Sequence, residues 1–170
     1  MKKLILILVF LILVGCTSVF NLGSWNTPND YEFNATIEML STPCDCSSYM
    51  MSRFEYEYHP HDAISPYELW QEKRGDCNDF STFFSYVGHE HNYETWQIRI
   101  MKTDSDIAHW IAVFKLSGRY YFTSNRAFYP WGARDTFRDV VDTWCLLYKK
   151  DWISYKVYDY DMKVIEKGGK

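Results

Sequence analysis

The sequence predicts an α+β fold, with helices first and an antiparallel sheet after them. Three observations carry this reading. Ser65-Pro66 followed by Tyr67-Glu68-Leu69-Trp70 is a helix start: Ser caps, Pro takes the first position, and Glu sits in the first turn. Cys77, Phe80, Phe84 and Val87 share one helical face at about 100° per residue. Beyond them, residues 94–101, 108–115 and 119–125 are rich in β-branched and aromatic residues and are separated by short polar turns, as strands are.

In chain order, residues 33–40 read as a short helix with Asp30 or Asn34 as cap, and residues 43–50 (PCDCSSYM) as a loop. Residues 54–58 alternate aromatic with charged and read as extended. The turn after Trp70 ends at Gly75, and a helix runs from Cys77 to about Val87. In the second strand, AHWIAVF (108–114) is apolar on both faces, which makes it central in its sheet. Phe137, Val140, Val141, Trp144 and Leu147 repeat at helical spacing, with Asp135 as the cap, and residues 152–160 form a last strand. Trp110, Phe114, Tyr120 and Phe122 are assigned to the core.

The first residues are a targeting signal. Lys2 and Lys3 precede an apolar run, residues 4–14, too short for the roughly 20 residues that span a bilayer. The run closes on Leu13-Val14-Gly15-Cys16, which resembles the lipobox of bacterial lipoproteins. That resemblance implies cleavage after Gly15, lipid on Cys16, and a membrane-anchored protein in the bacterial cell envelope. The chain then divides into a signal (1–15), a lipidated tether (16–30) and one domain (31–165). The charge of −4 becomes −6 once Lys2 and Lys3 leave, which argues against a nucleic-acid partner. Four cysteines remain: Cys44, Cys46, Cys77 and Cys145. One of the first two could pair with Cys145, but spacing does not fix a connectivity. Cys44, Cys46, His59 and His61 lack the spacing of a structural zinc site.

Cys77 is expected at the leading end of its helix. There the helix dipole and free amides favour a thiolate and could hold an oxyanion. Asp76 and Asp79 oppose this, although Asp79 should point away on the wheel. Of the histidines, only His109 opens a central strand, where it is either a packed core residue or a positioned base. If Leu116-Ser117-Gly118 is a three-residue loop, His109 opposes Asn125. Opposed residues share a face, so the carboxamide would fix the imidazole and leave its other nitrogen for Cys77. A two-residue loop would put Asn125 on the wrong face.

GDCNDF (75–80), AHWIAVF (108–114) and GRYYFTSN (118–125) together resemble the transglutaminase-like superfamily. SPYELWQEKRGDC (65–77) is similar to the segment leading into the nucleophile of its bacterial cysteine proteinases. The resemblance implies a helix bearing cysteine packed on an antiparallel sheet bearing histidine, here with Asn125 where Asp is usual. It implies a thiol hydrolase that cleaves amide or peptide bonds of a protein or peptide substrate through Cys77, His109 and Asn125. Tyr58 would be a candidate oxyanion donor. No cofactor is required, although a calcium ion at Asp76 and Asp79 is a variant the family allows. Two alternatives stand beside this: a catalytically silent copy of the fold acting as a binding module, and a papain-like cell-wall endopeptidase.

Overall fold

The computed structural model describes residues 29–60 and 62–170. The signal, Cys16 and nearly all of the tether lie outside the described residues. The first helix, α1 (Tyr31–Met39), is capped by Asp30, whose carboxylate accepts the Phe33 N–H at 2.9 Å. Residues expected as a loop form α2 (Pro43–Arg53) instead. Thr42 and Asp45 cap each other's backbone amides and Pro43 takes the first turn, so this is a capping box in a segment whose Cys and Ser content reads as loop. Then β1 (Glu55–Tyr56) pairs in parallel with β2 (Arg74–Gly75) around α3 (Pro66–Glu72), which has the expected Ser65 cap. The turn after α3 closes on Lys73 in the left-handed region (φ 59°) rather than on Gly75.

Helix α4 (Cys77–Glu90) is the centre of the molecule. From Cys77 to Gly88 every residue except Asn78 is buried. Phe80, Phe83, Phe84 and Val87 pack with α1, α2 and α3 against Ala112 and Phe114, and each such side chain contributes about 1.5–3 kcal/mol by leaving water. On its polar face the Ser81 hydroxyl donates to Gln97 Oε1 at 2.9 Å, while Ser85 Oγ is buried without a partner.

The remaining strands are β3 (Glu94–Lys102), β4 (Ser105–Leu116), β5 (Arg119–Ser124), β6 (Ala127–Arg134), β7 (Trp152–Tyr158) and β8 (Val164–Gly169). They form one antiparallel sheet in the order β6-β5-β4-β3-β7-β8, so β4 is central as expected. Helix α5 (Phe137–Tyr148), capped by Thr136 rather than Asp135, packs Val140, Val141 and Trp144 on the other face of the sheet, over Ile98, Ile100 and Ile111. Strands β6 and β8 are additional to the expected set, and β8 carries the fold past residue 165. The described cysteines are free thiols. Cys46 belongs to the core under α4 and Cys145 to the core under α5, with the sheet between them.

The β4–β5 hairpin corrects the expected register. Its turn is two residues, Ser117 (φ 51°) and Gly118 (φ 79°), so that Leu116 opposes Arg119 and Val113 opposes Phe122. This is the doubly left-handed turn that suits the twist of paired strands.

Candidate active site

Gly75 lets the chain pass close to the start of α4: a Cβ there would lie 2.7 Å from Asp79 Oδ2. Asp76 caps the helix through the Asn78 amide (2.8 Å), and Asp79 returns a bond to the Asp76 N–H (2.7 Å). Cys77 is thereby fixed as the first helical residue, 8% exposed. Burial pushes its thiol up to about 11; the Trp110 backbone N–H, which bonds the sulfur, works the other way, and Asp76 adds to the rise.

His109 stands on β4 opposite Ile100. Its ring stacks on the Trp144 indole, with centroids 4.7 Å apart and planes 18° apart. Its Nε2 lies 3.0 Å from Ser124 Oγ, and the Trp144 Nε1–H donates to the same oxygen at 3.1 Å. Burial, then the Lys102 cation, depresses the imidazole to about 4, so it rests neutral.

Cys77 and His109 line one cleft, together with Tyr56, Tyr58, His59, Arg99, Lys102 and Trp110. Alternation assigns His109 to the α5 face of the sheet, whereas Trp110 and Ala112 face α4. The cleft reaches both groups at the end of the sheet. There β5 has parted from β4: after Val113 and Phe122 no ladder pair follows, and Thr123 Oγ1 accepts the Ala112 N–H instead.

Asn125, expected to orient the imidazole, makes no hydrogen bond to it. It begins the Asn125-Arg126 turn at φ 49°, and its Oδ1 is buried without a partner. The cause is the two-residue hairpin, which gives Ser124 the face that a three-residue loop would have given Asn125. The Ser-Gly dipeptide at 117–118 was the available signal for that hairpin. Tyr58 does line the cleft and is exposed.

Asp76 and Asp79 were the candidate calcium ligands, and His59 joins them within 4.8 Å. The group does not fit such an ion. Calcium takes six to eight oxygens, yet Asp79 Oδ2 is shared by the Asp76 amide and His59 Nε2 (2.6 Å), and Oδ1 accepts the Ile64 N–H (2.9 Å). The carboxylates serve as helix caps. His59, poised by Asp79 at the cleft, carried no sequence signal, because it lies in a loop remote from any motif.

A family model described as a transglutaminase-like domain matches residues 25–130, more than half of the chain. A candidate cysteine protease from Cytophaga hutchinsonii is similar in structure, with 10% identity, a TM-score of 0.48, and coverage of 81% of this chain and 49% of that one. This chain thus spans about half the length of that protein. LapG of Legionella pneumophila is similar with 14% identity, a TM-score of 0.44, and coverage of 69% of this chain and 84% of that one. In its EGTA-treated form the values are 12%, 0.46, 86% and 74%. No curated protein matches the chain.

Proposed function

Because the chain belongs to the transglutaminase-like domain family, we propose that it is a thiol hydrolase of amide or peptide bonds in which Cys77 is the nucleophile, His109 the base and Ser124 the group that orients the base. One observation carries the reading: a thiol at the first turn of a helix and an imidazole fixed from two sides share one cleft. Ser124 Oγ has two lone pairs, and Trp144 occupies one of them. In the tautomer whose Nε2–H donates to the other, Nδ1 is the acceptor that takes the Cys77 proton. Sulfur then adds to the carbonyl carbon, and the Cys77 amide faces the developing oxyanion. The amine leaves with the proton from Nδ1, and water, deprotonated at the same nitrogen, releases the acid and restores the thiol.

A neutral thiol and a neutral imidazole at rest agree with proton transfer during attack rather than a preformed ion pair. The placement in the envelope, with lipid on Cys16, is proposed on the sequence pattern of residues 2–16 alone. The test is turnover of 4-nitrophenyl acetate in a Cys44→Ser background, which removes the thiol that is exposed among the described residues. A covalent acetyl group on Cys77 by intact mass is expected, with loss of turnover in Cys77→Ala and a fall of about 100-fold or more in His109→Gln. Turnover in Cys77→Ala equal to that of the parent would leave a silent binding module.

A further inference from the structure

Resting on the acyl-transfer reading, we propose that the substrate is an anion: an amide or peptide carrying a carboxylate beside the bond attacked by Cys77, held by Arg99 and Lys102. Both cations stand near the end of β3 and line the cleft that contains Cys77 and His109. Both are partly buried. Among the described residues, several cations form ion pairs: Arg74 meets Glu55 and Glu57, Lys115 meets Glu94, and Lys150 meets Asp104. Neither Arg99 nor Lys102 has such an ion pair.

The chain as a whole has more acidic than basic residues, yet both cations lining this cleft are without an ion pair. Asp104 acts on Lys102 at longer range than an ion pair, so a bound carboxylate would give each of these partly buried cations a direct contact that it lacks. Lys102 also lies near enough to His109 to help keep its ring neutral. Two carboxylates share the cleft. Asp76 is turned into the helix amides, and Asp106 is exposed. The field therefore runs from acidic at the start of α4 to basic on β3. A substrate with its reacting carbonyl at Cys77 would place its carboxylate on the β3 side. The cleft, about 320 Å³, is the size of a short peptide fragment rather than a folded surface.

The test compares two alkylating reagents of the same chemistry, anionic iodoacetate and neutral iodoacetamide, on Cys77 of the full chain in the Cys44→Ser background. The rates are taken at about pH 9 and low salt. The ratio of the two rates cancels any change in thiol reactivity. It should exceed the ratio for free cysteine by about tenfold. It should return to that value in Arg99→Gln/Lys102→Gln and shrink as salt is raised. A ratio at or below that of free cysteine, unaltered by the double variant, overturns the proposal. Acetyl turnover is a separate readout. A high ratio without turnover keeps the anion site and removes the hydrolase, whereas turnover with a flat ratio does the reverse.

Discussion

The resting state of Cys77 can be tested by titrating its alkylation. With the thiol near 11 and the imidazole near 4, moving the proton between them costs on the order of 9 kcal/mol before the two charges attract each other. Cys77 should therefore lack the acid-shifted reactivity of a preformed thiolate. A free cysteine titrates near 8.5, so at about pH 7.5 the Cys77 thiolate is roughly 300-fold scarcer. The more basic sulfur recovers a factor of about 10–15, because nucleophilicity rises with pKa with a slope of about 0.4–0.5. The net expectation is iodoacetamide alkylation roughly 20-fold slower than for free cysteine, climbing through alkaline pH toward a plateau near 11. Peptide mapping after timed quenching reads the rate at Cys77 alone. A rate already level at neutral pH would show a standing thiolate and refute the argument from burial.

Three further outcomes follow from the same geometry. His109 titrates near 4 in the folded chain against about 6.5 in the unfolded one. The unfolded state therefore binds the extra proton, and stability falls as pH drops from about 6.5 to about 4, by up to about 3 kcal/mol; urea unfolding should show this slope diminished in His109→Gln. Asn125→Gly should keep both turnover and stability, while Asn125→Ala costs about 1 kcal/mol for its left-handed backbone; loss of turnover in the Gly variant would restore Asn125 to the site. Gly88→Ala would set a Cβ 2.6 Å from Phe114 Cε1 and Thr95 Cγ2, and a loss of about 1–3 kcal/mol by thermal unfolding is expected.

What could be read from the sequence was whatever local chemistry decides. The Ser65-Pro66 cap, the apolar face from Cys77 to Val87 and the central strand at His109 are set by neighbours a turn or two away, and each is where it was expected. The α2 helix was hidden because its stability comes from a reciprocal cap and from burial of Cys46 and Met50, not from helix-forming residues. The third site residue depended on counting a hairpin loop. One residue of difference there exchanges the two faces of a strand, which is why Ser124 rather than Asn125 meets the imidazole. Trp144, Arg99 and Lys102 reach the site only through long-range packing, and no spacing rule points to them.

The indole that brackets His109 comes from α5, beyond residues 25–130, the segment matched by the family model. A chain cut after that segment would keep the sulfur and the imidazole yet lose the wall and the N–H that hold the ring and its serine in place. The C-terminal forty residues thus supply the brace for this imidazole, and shortened versions of this protein should be judged by how steadily they hold that ring.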